Sequence, residues 1–204
     1  MAKFKFTKGE LKRQRDALGQ FERYLPTLQL KKQQLQMEIL RQRTILEEKR
    51  QQQAAKKQAV LAWAGLLSEP IALSPWLKPQ KILSAVKNIA GIDIAVFQDV
   101  EFAPAEYDLF VTPLWVDAAL VALRELILLR EEITLLETGI EILRAQLRIT
   151  AQRVNLFEKV KIPQAQEAIR RIKIYIGDQA TNAVGRSKMA KRKIEALVLS
   201  GVAG

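Results

Sequence analysis

Two heptad repeats, one towards each end of the chain, constrain its fold more than any other feature. Alternating steps of three and four residues from Leu11 to Leu46 fall mostly on apolar side chains, and the positions between them are mostly Lys, Arg, Gln and Glu. A second and stronger series runs from Leu126 to Phe157. Such a seam keeps one face of a helix apolar, and that face must be buried against another helix. The sequence therefore predicts two long helices that bury their seams against each other.

We interpret the seam residues as the core of an antiparallel coiled coil, not as ligand-binding groups. The predicted seam positions are Leu18, Leu25, Leu28, Leu35, Ile39, Leu126, Leu129, Ile133, Leu136, Ile140, Leu143, Leu147, Val154 and Phe157. Pro26 and Pro163 interrupt the two helical patterns. Because proline removes a backbone hydrogen bond, we expect a kink at each of them and a bend in the same zone of both helices.

The middle of the chain differs in character from its two ends. Prolines at positions 70, 75 and 79 must end the first helix. "KILSAVKNIAG" (81–91) is predicted to be a short helix closed by Gly91. "IDIAVFQDVEF" (92–102) alternates apolar residues around Gln98-Asp99, which predicts a small β-hairpin that turns there.

The expected fold is mainly α, with a long antiparallel two-helix coiled coil formed by the N- and C-terminal segments. A small middle lobe contains the short helix and the β-hairpin. The predicted segments are 1–67 (first long helix), 68–113 (middle lobe) and 114–204 (second long helix).

Composition restricts the chemistry that the chain can perform. It has no cysteine and no histidine, so only an all-carboxylate site could bind a transition metal or act in acid–base catalysis. There is no Gly-rich phosphate-binding loop either. We therefore expect no cofactor, no metal and no catalytic site. The most apolar run, "LWVDAALVALRELILLR", contains Asp117, Arg124 and Glu125, so we expect a soluble cytoplasmic protein without direct membrane insertion.

The net charge of +11 indicates an acidic partner. The excess is carried by the two end segments, because the middle segment is acidic. A basic coiled coil that binds nucleic acid or the ribosome is one class of protein with this charge. A scaffold or membrane-surface coiled coil is another. Against the first, the basic residues are interleaved with glutamate, and the aromatic residues do not alternate with them as a base-stacking platform requires.

Several stretches resemble the D subunit of the bacterial and archaeal V/A-type rotary ATPases. They are "FERYLPTLQLKKQQLQ", "YDLFVTPLWVDAAL", "RVNLFEKVKIP", "AIRRIKIYIGD" and "VGRSKMAKRKI", in the same order and spacing as in that family. The C-terminal block is the specific part of the resemblance, which spans most of the chain. The heptad material alone would not distinguish this family from other coiled coils.

The resemblance implies a non-catalytic rotor shaft in the central stalk. It implies that the paired helices lie inside a ring of catalytic A and B subunits, that the F subunit binds along the shaft, and that the lower end rests on a funnel-shaped subunit (C/d type) that caps the membrane rotor. No nucleic acid is expected as a partner. The location implied is the cytoplasmic side of the plasma membrane, as a peripheral part of the ATPase complex.

Basic residues near both ends of the chain are the candidate contacts to the catalytic hexamer. They are Lys8, Lys12, Arg13, Arg15, Arg186, Lys188, Lys191 and Arg192. In an antiparallel hairpin we expect the two sets to meet at one tip and to face acidic residues of the cavity. A solvated charged face with no partner is the alternative, and the sequence does not separate the two.

Overall fold

The computed structural model describes residues 5–69, 71, 73–108 and 112–201. The predicted helix-ending proline at position 70 lies outside these residues. The elements in chain order are α1 (Lys8–Leu61), a 3₁₀ turn (Ala64–Ser68), α2 (Ser74–Leu77), β1 (Pro79–Ile89), β2 (Ile92–Phe102), α3 (Trp115–Leu156), a π-helical turn (Phe157–Lys161) and α4 (Ile162–Gly201). The predicted class is confirmed: long N- and C-terminal helices, with a two-stranded antiparallel hairpin between them.

The chain forms two compact units. Unit 1 contains the two chain ends, Met1–Gln29 and Ala151–Gly204, and unit 2 is Leu30–Thr150. The three segments predicted from the sequence divide the chain along its length, whereas these units are defined by proximity in space. That three-segment division stays a prediction.

The core of unit 2 forms where the β-hairpin meets the two long helices. Leu35 and Ile39 of α1, Leu143 of α3 and Ile92 and Ile94 of β2 are buried together. A second cluster joins Leu46 to Ile133 and Ile140 across the same two helices. The seam residues therefore pack in pairs across α1 and α3, and the hairpin adds its own apolar face to them.

One glycine allows the hairpin to approach α3 closely. A Cβ atom built at Gly139 would lie 2.9 Å from Cγ2 of Ile94, closer than real carbon contacts allow. Any other residue at this position would push the buried strand away from the helix.

The predicted helix over 81–91 is wrong, because this segment is the strand β1. Its apolar residues Ile82, Val86 and Ile89 recur at helical spacing, but they are β-branched and pair with β2 over an antiparallel register from Pro79↔Phe102 to Ile89↔Ile92. Pairing with a neighbouring strand has overridden the local pattern. The short helix of the middle segment is instead the single turn α2.

The predicted turn at Gln98-Asp99 is also wrong. The chain reverses at Ala90 and Gly91, whose φ angles are 52° and 78°, as expected for a two-residue hairpin loop. In β2 the register shifts from Leu83↔Asp99 to Ser84↔Phe97. Gln98 therefore faces no partner and forms a β-bulge within a continuous strand.

Unit 1 is a second antiparallel helix pair. Two aromatic contacts set its register: the rings of Phe21 and Phe157 are 5.3 Å apart, and those of Phe6 and Tyr175 are 5.0 Å apart. Between and beside these contacts Val154, Ala165 and Ile172 of the C-terminal helix are buried. Phe6 precedes Phe21 in the chain, whereas its partner Tyr175 follows Phe157. The two segments therefore run in opposite directions.

The seam predicted from the sequence follows the inner face of the helices in both units. Leu35, Ile39, Leu129, Ile133, Ile140, Leu143 and Val154 are buried, and Leu18, Leu25, Leu28, Leu126, Leu136, Leu147 and Phe157 are half-buried. Every predicted seam position thus lies at least partly out of contact with solvent.

The π-helical turn explains how the chain accommodates Pro163. Elsewhere the inner-face residues of α3 and α4 are three or four positions apart, but the step from Phe157 to Ile162 is five. The Ile162 N–H donates to the carbonyl of Phe157, also five residues away. The turn therefore inserts one extra residue and keeps both helices facing inward, and Pro163 follows directly where the turn is wide.

The helix α1 continues through Pro26 without a break. The predicted bend at the two prolines stays a prediction, although a π-helical turn beside Pro163 is a recognised cause of helix kinks.

Candidate partner-binding surfaces

Three ion pairs hold α1 against α3 in unit 2. Lys49 lies 2.9 Å from Glu132, Arg50 lies 2.6 Å from Glu137, and Lys56 lies 2.6 Å from Glu125. All are partly exposed, so each contributes at most about 1 kcal/mol. Their main effect is to fix the antiparallel register, while the buried seam supplies the stability.

The end of unit 2 where α1 stops and α3 begins has an apolar surface, which we call the base. It consists of Leu61, Leu66, Leu67, Leu114 and Val121, all of them exposed, and Leu114 is 93% exposed. Trp115 Nε1 donates to Glu69 Oε2 at 3.1 Å and ties the segment after α1 to the start of α3. Apolar residues grouped in this way on a surface are typical of a protein–protein contact.

Arg124 fastens the connecting segments above the base to α3. Its guanidinium donates to the carbonyls of Trp76 (3.0 and 3.3 Å) and Ala103 (2.8 Å). It also lies 5.1 Å from the centre of the Phe102 ring. One half-buried side chain thus holds the entry to β1 and the exit from β2.

We expect Arg124→Ala to loosen this attachment by about 1–3 kcal/mol, because two carbonyls and a cation–π contact lose their partner. Arg124→Lys should recover only part of the loss, since one ammonium group cannot reproduce the planar fork of donors. Urea unfolding followed by tryptophan fluorescence measures the effect, because Trp76 lies at the attachment. Equal midpoints for Arg124→Ala and the native chain would contradict this role.

A second contact braces the segment between β2 and α3. The rings of Tyr107 and Trp76 are 5.1 Å apart, and the Tyr107 hydroxyl donates to the Asp117 carboxylate. This hydrogen bond raises the pKa of Tyr107 above its ordinary value. The Tyr107 hydroxyl thus links the segment after β2 to α3.

The structure does not bring the two predicted basic sets together. Lys8, Lys12, Arg13 and Arg15 lie on the stretch of α1 between the Phe6–Tyr175 and Phe21–Phe157 contacts. Arg186 is eleven residues beyond Tyr175, or about 16 Å further along α4. The expectation of one shared basic tip is wrong because the C-terminal helix extends past the described start of the N-terminal segment.

The end of α4 is an exposed basic helix. All side chains from position 177 to 196 are exposed, including Arg186, Lys188, Lys191 and Arg192. Within the paired stretch, by contrast, two arginines have a local acidic partner. Arg170 and Arg171 donate to the Glu167 carboxylate and lower its pKa to about 2. The cations beyond position 185 have one weak local pair, Lys191 with Glu195 at 3.7 Å, in the described part of α4.

Among the described residues no group of three or more acidic side chains is placed to bind a metal ion. No helix in this part of the chain has the length and apolar character needed to cross a membrane. A cavity of about 200 Å³ lies between the hairpin and the helices of unit 2, with an apolar floor and Arg41, Lys87 and Glu132 at its rim. The surfaces described above are therefore better candidates for function than this cavity.

Comparison with known proteins decides the family. The family model for the D subunit of ATP synthase matches residues 10–192. The chain is 43% identical over 194 residues to the D subunit of the V-type ATP synthase of Borreliella burgdorferi, a match that covers 95% of this chain and 96% of the relative. The chain belongs to the ATP synthase D-subunit family. It is also 33% identical to the V-type ATP synthase D subunits of Chlamydia caviae and Chlamydia pneumoniae, over 95% and 94% of its length.

As a member of the D-subunit family, the chain is part of a V-type ATP synthase, a membrane-associated complex that couples ATP chemistry to ion transport. Family membership agrees with the resemblance of the C-terminal block to the D subunits of V/A-type ATPases. It also favours this family over the nucleic-acid-binding alternative. The base and the Arg124 attachment were not found by sequence reasoning. Leu114, directly after Pro113, was the available signal, since an apolar residue between a proline and a helix start has no seam to join.

Proposed function

We propose that this D subunit is the central-stalk rotor shaft of a V/A-type ATP synthase/ATPase. In this role it transmits rotation between the catalytic A/B hexamer and the ion-translocating rotor in the membrane. The observation that supports the proposal best is the seam of buried residues along paired antiparallel helices in each unit, because a continuously packed seam gives stiffness against bending and twisting. The helix α1 alone has 54 residues, about 80 Å, which suits a part that spans from one subunit layer to another.

The shaft itself takes no chemical step in this proposal. ATP is made or hydrolysed on the A and B subunits, and the chain needs no cofactor. What it supplies is asymmetry: in unit 1 the end of α4 extends as an exposed helix beyond its pairing with the described N-terminal segment. Each orientation of such a shaft favours a different open or closed state in each surrounding catalytic subunit, so rotation shifts their populations in turn.

The proposed partners follow from the surfaces. Unit 1 lies within the A/B hexamer, with Arg186, Lys188, Lys191 and Arg192 towards acidic residues of its cavity. The apolar base of unit 2 rests on the funnel-shaped rotor-cap subunit, and the F subunit binds along the helices. The complex as a whole lies at the cytoplasmic side of the plasma membrane, to which this chain is peripheral.

Charge reversal at the exposed end of α4 tests the contact with the hexamer. We expect Arg186→Glu, Lys188→Glu and Lys191→Glu together to weaken binding to the A/B hexamer about tenfold or more at low salt, because attraction becomes like-charge repulsion. Lys57→Glu, Lys78→Glu and Lys81→Glu, three exposed cations of unit 2, which this proposal does not place in the hexamer, form the matched control. Unchanged hexamer binding and ATP turnover in the first variant would contradict the contact.

Copurification tests the proposed function as a whole. Tagged chain isolated from its native host should bring down the A, B and F subunits, together with the rotor-cap subunit. Base variants such as Leu114→Glu with Val121→Glu should lose the rotor-cap subunit alone and keep the A and B subunits. Recovery of none of these subunits with the native chain would overturn the assignment.

A further inference from the structure

The cavity between the β-hairpin and the helices of unit 2 has no part in the proposed rotor function, but it has the chemistry of a ligand site. Its volume is about 200 Å³, and three elements form its walls: α1 contributes Ile45, the hairpin contributes Ile89 and Ile94, and α3 contributes Leu135. Gly139 of α3 lies against Ile94 and adds no side chain to the cavity. Apolar walls with a few polar groups at the edge are typical of sites that bind small molecules.

Two cations lie at the mouth of this cavity, one on each side. Arg41 comes from α1 and Lys87 from β1, and both are exposed. Lys87 is paired in register with Ile94, whose side chain meets α3 at Gly139. Directly paired residues of antiparallel strands have their side chains on the same face of the sheet, so Lys87 leaves the hairpin on the face that meets the helices. Its stem follows that apolar face, and its ammonium group reaches the mouth of the cavity.

The acidic groups nearest to these two cations have other partners. Glu132, also at the rim, lies 2.9 Å from the ammonium group of Lys49. Glu38, on α1, accepts a hydrogen bond of 2.9 Å from the glutamine four residues later. Asp93, next to Ile94 in β2, accepts one of 2.6 Å from the asparagine opposite it in β1.

In the described part of the chain, neither Arg41 nor Lys87 makes an ion pair. Two cations thus flank an apolar cavity, while the neighbouring carboxylates are already bonded elsewhere. The group that complements this arrangement is an anion with an apolar body, because the anion accepts charge-assisted hydrogen bonds while the body fills the cavity.

We infer that this cavity is a binding site for a small free carboxylate with a short apolar tail, of the kind found in medium-chain fatty acids. The carboxylate accepts hydrogen bonds from Arg41 and Lys87 at the mouth, and the tail lies among the apolar side chains of the interior. An apolar cavity of about 150 Å³ holds one benzene molecule, so this slightly larger one takes a tail of about six to eight carbons. The site goes beyond the proposed rotor function and does not depend on it.

Calorimetric titration of the full chain with three eight-carbon probes tests the preference for an anion. The probes are octanoate, octan-1-ol and octylammonium, which share one tail and differ only in the head group. We expect octanoate to bind at least about fivefold more tightly than octan-1-ol, and octylammonium to bind most weakly, because the two cations favour an anionic acceptor. Equal affinities for the three probes, or no binding of octanoate, would overturn the inference.

A series of tail lengths tests whether the ligand enters the cavity. From butanoate through hexanoate to octanoate, we expect affinity to rise about threefold to fourfold for each added methylene that is buried. The gain should stop between octanoate and dodecanoate, because the longer tail exceeds the cavity. Affinity that keeps rising at the same rate to dodecanoate would mean adsorption on exposed apolar surface, and the inference would be wrong.

Nuclear magnetic resonance of isoleucine methyl groups locates the ligand on the native chain. Bound octanoate should show nuclear Overhauser effects to Ile45, Ile89 and Ile94, one residue from each of α1, β1 and β2. Ile169 and Ile172, which are buried in unit 1, are the internal controls and should show none. Saturable binding without contacts to the three cavity isoleucines would place the site elsewhere and contradict the inference.

Variants separate the contributions of charge and shape. Arg41→Gln with Lys87→Gln should remove the preference for octanoate over octan-1-ol and leave the binding of the alcohol unchanged. Arg43→Gln with Lys81→Gln makes the same change of charge on α1 and β1 outside the cavity, and it should keep the preference. Leu135→Trp fills the cavity and should abolish binding of both probes, whereas Leu135→Met should retain it.

A preference that survives removal of the two cations at the mouth, or binding that survives the filled cavity, would overturn the inference. The contacts measured by nuclear magnetic resonance use the native chain, so they do not depend on how any variant folds. All probes are tested on the isolated chain, and each outcome is therefore independent of whether the chain turns within a motor.

Discussion

Leu143→Ala should lower the free energy of unfolding of unit 2 by about 3 kcal/mol. Leu143 is 0% exposed and lies among Leu35, Ile39, Ile92 and Ile94, where α1, α3 and the β-hairpin meet. Truncation removes buried methyl groups and leaves a cavity that three rigid elements cannot close. Within the described residues the two strands of the hairpin form the whole sheet, so its attachment to the helices should weaken most.

Tryptophan fluorescence during urea unfolding measures this change in unit 2 alone. All three tryptophans, Trp63, Trp76 and Trp115, belong to that unit. Leu61→Ala is the matched control, because it makes the same chemical change at a side chain that is 61% exposed, and it should shift stability by less than about 0.5 kcal/mol. Similar losses for Leu143→Ala and Leu61→Ala would show that the hairpin core does not stabilise the unit.

Deleting Val160 should lower the free energy of unfolding of unit 1 by about 3 kcal/mol, because Pro163 then destabilises the helix. The deletion shortens the step from Phe157 to Ile162 from five residues to four, so the π-helical turn becomes α-helical and the inner face stays in register. The proline then lies inside a regular α-helix, where its ring meets the carbonyl four residues earlier. In the native chain the wide turn spares it most of this cost.

A double-mutant cycle isolates the effect. Pro163→Ala in the native chain should change stability by less than about 1 kcal/mol, whereas the same substitution with Val160 deleted should recover most of the loss. Amide hydrogen exchange over positions 151–176, followed by mass spectrometry, reports on this helix without interference from unit 2. An equal gain from Pro163→Ala in both backgrounds would mean that the π-helical turn does not accommodate the proline.

The helical seams could be read from the sequence because their signal is local and repeated. Each seam residue has neighbours at three and four positions that carry the same information, as Leu129, Ile133 and Leu136 illustrate. The pattern survives small errors, and so the mainly α fold with two long helices followed from it.

The strand β1 could not be recognised in the same way. Ile82, Val86 and Ile89 have the spacing of a helix face, and only pairing with β2 makes them a strand. The turn at Ala90 and Gly91 depends on that pairing too, since Gly91 serves equally well as a helix end or as a hairpin residue. Contacts between β1 and β2 determine that this segment is a strand and where the turn lies, and these contacts cannot be read from local sequence patterns.

The unequal lengths of the two end segments decided where the predicted basic residues lie. The prediction that the basic residues of both ends meet left this difference in length out of account. The contact of Phe6 with Tyr175 leaves Arg186 and its neighbours beyond the stretch in which the two segments are paired. The base lies in the loops and helix ends where α1 stops and α3 begins, where no periodicity marks a residue as functional. Arg124 lies within α3, but its partners Trp76 and Ala103 are distant in the sequence.

Observation of rotation in single complexes tests the central claim most directly. The chain has no cysteine, so Val86→Cys, on the exposed side of β1, can carry a bead through a unique thiol. With the A/B hexamer fixed to a surface, we predict that ATP drives unidirectional rotation of the bead, at a rate that follows ATP turnover. A bead that stays fixed relative to the hexamer while the same complexes hydrolyse ATP would contradict the account.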